Sequence, residues 1–309
     1  MSVLVIGGKG YIGSELCRYL TSTGHSVTSI DLAWFGNYVP GLNYGMDYNK
    51  VTSRMLESYD TVVLLAGHSS VQMCETDYYS SFNNNCRNFI ELTKKLKPTT
   101  KFIYASSSSV YGMMDKNAVA DETYMVYGGN NNYDISKFML DAYMLNGRNG
   151  NKPILPNWYG LRFGTVNGPS PNTRVDLMIN SMVYNAKENG VINVSNKHID
   201  RAIVGLKDLC KAIEIIVNEG QPDMSGIYNI SSFNSSVDNI SSKVSELTGA
   251  KITDYGLVGV PYDFRISNSK FENTFGFKFT ETVETITTDL INQYTNIVKT
   301  KRDKEHGYV

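Results

Sequence analysis

The sequence predicts an α/β protein, a doubly wound parallel sheet with a smaller C-terminal lobe, and two observations carry that prediction. Short, nearly all-apolar runs (VLVI at 3–6, SVTSI at 26–30, TVVLLA at 61–66, KFIYA at 101–105) alternate with amphipathic stretches at 11–23 and 77–96. Such runs are what strands become when helices cover both faces of a sheet, and the alternation makes the strands parallel. The first run also passes straight into a glycine-rich turn. Residues 1–163 are assigned to the sheet domain and 164–309 mainly to the smaller lobe, with later segments returning to the sheet. In this less regular half, NGPSPNT (167–173) reads as a loop, helices are expected at 176–188 and 207–218, and the charged tail KTKRDKEHGYV reads as frayed.

Composition narrows the function. A chain of 309 residues, 41% hydrophobic, can bury a large core, and a net charge of -1 offers no basic stripe to nucleic acid or an anionic membrane. Four cysteines in no CxxC pair and four scattered histidines argue against a disulfide framework or a metal site. With no signal-like start and no apolar stretch of about eighteen residues, a soluble cytoplasmic protein is expected.

The glycine turn points to a dinucleotide. Gly7, Gly10 and Gly13 frame Tyr11 and Ile12 between the first strand and its helix, where bare backbone approaches a pyrophosphate at a helix N-terminus. The second strand ends at Asp31, whose carboxylate suits two ribose hydroxyls and repels a 2′-phosphate, so NAD is favoured over NADP.

Catalytic candidates follow downstream. Tyr133 and Lys137 are four apart, so a helix puts them on one face. With 21 tyrosines and 20 lysines in the chain, such a pair is expected by chance, and position supplies the weight. Making a phenol basic near neutral pH takes roughly 4 kcal/mol of preferential stabilisation, which a lysine cation and an oxidised nicotinamide can share. The four serines of ASSSSVYG stand after a parallel strand, where ligands sit in open α/β sheets. One of their hydroxyls could bond the oxygen that Tyr133 deprotonates.

Taken in order, GGKGYIG, LLAGHSSV, Asn83, SSSSVYG, YDISK and LRFGTVNGP resemble the extended short-chain dehydrogenase/reductase family, the Rossmann-fold nucleotide-sugar epimerases and dehydratases, over nearly the whole chain. The motifs are closest to those of the UDP-sugar 4-epimerases. The resemblance implies Ser107 as the catalytic hydroxyl, with Ser108 as the alternative, Tyr133 as base and Lys137 as its partner. It implies Asp47 and Tyr48 at the adenine, and Leu65, Ala66, Gly67, Asn83, Lys137 and Phe163 as further cofactor contacts. Family dehydratases carry Asp-Glu after the catalytic residue and sugar-acid decarboxylases a Glu; Ser108 and Ser109 stand there instead. The reductases that also epimerise at carbons 3 and 5 place a Cys where Ser109 is.

For the substrate, a nucleotide-diphosphate sugar, the resemblance implies Arg201 on the diphosphate and matches Asp208 to the acid that ends its segment. Arg174 and Arg265 are candidate helpers, since a guanidinium fork suits phosphate oxygens. The galactose epimerases have Asn where this chain has Thr165, and the family's usual His is Gly205. His68 and Ser69 are candidates to face the sugar. A homodimer built on the Tyr-Lys helix is the family habit; Phe138, Met139, Tyr143 and Met144 would supply its apolar face or else cover the sheet. Three readings stay open: a 4-epimerase, a nucleotide 4-ketosugar reductase, and a catalytically silent NAD(H)-sensing or scaffold protein.

Overall fold

The computed structural model describes residues 1–115, 118–126, 131–259 and 262–306. Seven parallel strands form the main sheet in the spatial order Gly226–Ile230, Trp158–Phe163, Lys101–Ser107, Thr61–Leu64, Ser2–Ile6, Ser26–Ile30, Asn43–Tyr44. Ser2–Ile6 lies between Ser26–Ile30 and Thr61–Leu64, so the chain order reverses there and a crevice opens at the strands' carboxyl ends.

Period-two alternation decides which side chains go to which face. Val3, Val5, Val63, Ile103 and Leu161 pack under the helices Tyr11–Ser22 and Leu206–Glu219. Leu4, Ile6, Val62, Leu64, Phe102 and Tyr104 face the other way, against Phe89, Leu92, Leu140 and Met144. Both late elements, the Leu206–Glu219 helix and the Gly226–Ile230 strand, therefore pack within the main sheet's layers. Lys101, buried, closes the carboxyl end of that helix by donating to the Ile216 and Val217 carbonyls at 2.7 Å each.

The second lobe has its own core. Helices Met178–Asn189, Val237–Thr248 and Val283–Asn292 join Ile179, Val183, Ile240, Val244, Ile286 and Leu290 beside the parallel pair Val191–Val194 and Lys251–Asp254. A three-stranded sheet of Thr165–Asn167, Asp200–Gly205 and Phe233–Ser236 links this lobe to the cavity.

Several expectations are corrected. The amphipathic stretch 77–96 is helical over 78–93 as Tyr78–Phe82, a π turn at Asn83–Arg87 and Asn88–Thr93, a detail the expectation did not contain. The extra residue in the turn brings Asn83 and Asn84 to the cavity while Asn85 stays buried. The tail is not frayed through residue 306: Tyr294–His306 is helical, and buried Ile297 and Thr300 anchor it. Residues 307–309 of that tail lie outside the described residues. On the Asn132–Asn146 helix the apolar set divides. Met144 and Tyr143 pack on the sheet, whereas Met139 is exposed with Ile135 and Leu145. Among the described residues no helix is long and apolar enough to cross a membrane, and no group of three or more His, Cys, Asp or Glu could hold a metal ion.

Candidate functional site

A cavity of about 1020 Å³ opens at the carboxyl edge of the sheet and extends between the lobes. Its walls include Gly7, Gly10, Tyr11, Ile12, Gly13, Asp31, Asp47, Tyr48, Leu65, Ala66, Gly67, Asn83 and Phe163.

The three motif glycines do different things. Gly7 has φ +91, and a Cβ there would meet the Ala66 amide nitrogen at 2.5 Å. A Cβ on Gly13 would stand 2.0 Å from the Gly7 carbonyl oxygen, so Gly13 lets the helix close on the strand. At Gly10 the nearest atom is at 3.4 Å, in ordinary contact, and Gly10 lines the cavity. A Cβ there would take up space along the floor rather than collide with the fold, and that is the cradle a pyrophosphate needs. Asp31 accepts from the Lys9 amide at 2.9 Å and the Ala33 amide at 2.7 Å, which fixes its carboxylate at the cavity wall. The residues present thus fit a dinucleotide. The Tyr11 side chain leaves the motif and donates to the Gly168 carbonyl at 2.8 Å. Tyr48 is buried and donates to the Asn84 carbonyl, and Asp47 accepts from the Asn49 amide at 3.0 Å.

Each of the four serines has a separate position. Ser106 lies beside the buried Asp141 carboxyl. Ser107, the last residue of its strand, caps the following 3-10 turn by accepting from the Ser109 amide at 3.2 Å, and its hydroxyl lies 2.8 Å from that of Ser109. It also lies near enough to the Tyr133 phenol to lower its pKa. Ser108 is turned away, donating to the Phe163 carbonyl at 2.8 Å. Of the two candidate hydroxyls, Ser107 is the one that meets the tyrosine.

Tyr133 stands in the first turn of the Asn132–Asn146 helix, which Asn131 caps by accepting from the Asp134 amide at 3.0 Å. Burial pushes the phenol up to about 12, and the nearby Ser107 hydroxyl acts to lower it. Lys137, one turn on, donates to the Ala105 carbonyl at 2.8 Å and sits 5.8 Å from the centre of the Tyr133 ring. Burial brings its ammonium down to about 8. Asn85 braces this helix and the neighbouring loop together: it donates to Ser136 Oγ and to the His68 carbonyl, both at 3.1 Å, and accepts from the His68 amide at 2.8 Å. His68 and Ser69 both line the cavity.

Beyond Tyr133, the second lobe contributes Thr165, Arg174 and Arg201. Arg201 Nη2 donates to Thr165 Oγ1 at 3.3 Å, while its buried Nε has no hydrogen-bond partner among the described residues. Arg174 is paired with Asp176 by bonds of 3.0 and 2.5 Å. Arg265 is not part of the wall; its Nε lies 3.6 Å from Asp200 Oδ2. Its neighbours Tyr262 and Phe264 line the cavity instead, and Tyr262 donates to Asp134 at 2.6 Å. Reading YDFRIS as extended chain would have found them, because residues 262 and 264 share a face that 265 does not. Asp208 lies deep, accepting from the Thr280 and Glu281 amides at 2.9 and 2.8 Å. Gly205 has no room for a side chain: a Cβ would stand 2.0 Å from the Glu281 carboxylate. Lys301, from the tail helix, also reaches the cavity, where it donates to the Tyr184 hydroxyl at 3.0 Å.

The NGPSPNT loop clasps the glycine turn. Asn172 Nδ2 donates to the Lys9 carbonyl at 2.6 Å and Ser170 Oγ to the Tyr11 carbonyl at 2.7 Å. Asn167, Asn172 and Thr173 are consequently buried, a packing that the turn-like composition of this loop does not reveal.

Among curated proteins, the chain is 27% identical over 154 residues to a UDP-glucose 4-epimerase of Lactobacillus helveticus, covering 47% of this chain and 46% of that one. It is 26% identical over 249 residues to a probable dTDP-glucose 4,6-dehydratase of Sinorhizobium fredii, covering 72% and 69%. The chain thus spans less than half of the first relative's length. Among solved structures, the UDP-glucose 4-epimerase of Thermotoga maritima with UDP-glucose superposes with a TM-score of 0.83 at 19% identity, covering 96% of this chain and 100% of that one. The UDP-glucuronic acid 4-epimerase of Bacillus cereus, in complex with UDP-glucuronic acid and NAD, gives 0.78 at 22%, covering 94% and 97%. Both share this chain's fold. Residues 3–231 match the NAD dependent epimerase/dehydratase family, and the chain is a Rossmann-fold member of that family, with NAD as its cofactor.

Proposed function

We propose that the protein is a nucleotide-sugar epimerase acting at carbon 4 through a transient 4-ketosugar. The distribution of carboxylates around the cavity carries this reading. Dehydration needs an acid and a base at the reacting carbons, yet among the described residues the carboxylates in the cavity wall are Asp31, Asp47 and the Arg174-paired Asp176. Beside Tyr133 the wall offers Ser107, Ser108 and Ser109. Hydroxyls of that kind can orient a sugar oxygen but do not take a proton from carbon at neutral pH.

NAD supplies the two-electron acceptor and donor when bound. Tyr133 takes the carbon-4 hydroxyl proton and later returns it. Ser107, beside the phenol, orients that hydroxyl, and the Lys137 ammonium stabilises the phenolate. Arg201 is assigned to the diphosphate, which gives its buried Nε an acceptor, and Arg174 to the same charged end. The exposed pair Ile135 and Met139, one helical turn apart, and the exposed Leu145 further on are consistent with a homodimer.

The test is to denature the purified protein without added cofactor, identify the released nicotinamide, and then offer a panel of UDP-, dTDP-, GDP- and ADP-sugars. Co-purified NAD and a product inverted at carbon 4, with no net change in nicotinamide absorbance, are expected. A 4-keto-6-deoxy product would make the protein a dehydratase, and stoichiometric consumption of NADPH would make it a reductase.

A further inference from the structure

Leu32, Trp34 and Phe35 follow Asp31 directly, and all three line the cavity. They are 44%, 60% and 43% exposed. Three large apolar side chains within four residues, each partly exposed and each lining the same cavity, are more apolar surface than a fold usually leaves to water.

The backbone holds this patch in place. Ala33 has φ +56, a conformation uncommon for a residue with a side chain, and the Asp31 carboxylate supports it by accepting from the Ala33 amide at 2.7 Å. The Gly36 amide closes the turn on the Ala33 carbonyl at 2.9 Å. Lys9 of the glycine motif then secures both ends of the loop. Its amide donates to Asp31 at 2.9 Å, and its buried ammonium donates to the Val39 carbonyl at 2.8 Å. The turn suited to the pyrophosphate, the acid suited to the ribose and the aromatic loop are therefore one hydrogen-bonded unit.

We propose that Trp34, supported by Phe35, stacks on the adenine of the bound dinucleotide and slows its release between turnovers. Adenine is flat and is carried by the ribose that Asp31 suits, and base-aromatic stacking needs only a π face presented at that position. A wall already held in place loses little freedom on binding, so the contact contributes mainly to retention.

The chain has two tryptophans, which makes the test direct. Trp158 is only 6% exposed and packs on Tyr104, at the far end of a strand whose last residue lines the cavity, so the signal that remains in Trp34→Phe is its own. After removal of resident nucleotide, NADH binding is followed by the polarisation of its own emission, independently of Trp34. Tryptophan quenching with sensitised NADH emission is expected in the wild type and is expected to fall sharply in Trp34→Phe, to the smaller contribution of Trp158. Trp34→Ala should bind NADH and AMP about tenfold more weakly, with nicotinamide mononucleotide unaffected. Trp34→Phe should keep most of the affinity, which separates stacking from misfolding. Unchanged AMP affinity in Trp34→Ala, or NADH binding without quenching of Trp34, overturns the inference while leaving the cofactor assignment intact. A wild type that binds no NADH by polarisation overturns both.

Discussion

The half of the cavity proposed to hold the dinucleotide and the half proposed to hold the substrate are built differently. The first is made of strand ends and bare backbone: Gly7, Gly10, Gly13, the loop at 65–67, and one carboxylate held by two amides. The second is made of side chains carried in late, with Thr165, Arg174, Arg201, Tyr262 and Lys301 coming from five separate segments. A backbone-built site tolerates changes in side-chain identity but not an added Cβ. A side-chain site is the reverse, since its specificity can change while the fold does not.

Tyr133 sits where the halves meet, and changing it should have the largest effect. Tyr133→Phe keeps the ring beside Lys137 and removes the proton acceptor, so kcat should fall by about a thousandfold with NAD affinity unchanged. Single-turnover assays and cofactor titration of the same preparation separate the two effects. A loss of NAD binding equal to the loss of turnover would mean that the halves are not separable. Next comes Gly13→Ala, the sharpest test of the backbone half. Its methyl would stand 2.0 Å from the Gly7 oxygen, so either the helix or the turn must shift. We expect about 3 kcal/mol of destabilisation in thermal or urea unfolding, together with loss of co-purified NAD.

The same contrast explains what the sequence made legible. The glycine turn, Asp31 and the Tyr-Lys pair are local patterns whose spacing reflects a fixed backbone geometry, and the parallel strands announce themselves as short apolar runs. The π turn at Asn83–Arg87 was not legible, because one extra residue per turn leaves composition unchanged. Nor was Lys301: a tail rich in charge hides the two buried positions, Ile297 and Thr300, that bring its helix against the second lobe. Tyr262 lay three residues from an arginine chosen for its charge, and only the alternation of an extended segment distinguishes them.

Within the substrate half, Arg201→Gln should raise KM for the nucleotide sugar about thirtyfold while leaving NAD binding and kcat nearly unchanged. A charged hydrogen bond to a phosphate oxygen contributes about 2 kcal/mol, and the amide cannot reproduce the guanidinium fork. A KM that stays constant, with kcat reduced, would move Arg201 from the diphosphate to the reacting sugar.

The smallest effect is expected where the second lobe meets the sheet lobe. Glu281 is buried over Gly205 and accepts from the Asp208 amide at 3.0 Å. Burial, reinforced by the Asp208 carboxylate, pushes its carboxyl up to about 7. Between pH 4.5 and 7 the folded chain therefore keeps a proton that the unfolded chain has released, so stability falls as pH rises through that window and levels off above it. Glu281→Gln keeps an acceptor for the Asp208 amide but cannot ionise. The two proteins should have similar stability near pH 4.5, and the variant should be more stable at pH 8 by about 1 to 2 kcal/mol in urea unfolding. If the difference is the same at both pH values, Glu281 acts through packing alone, and the close fit of Gly205 beneath it is a matter of volume rather than charge.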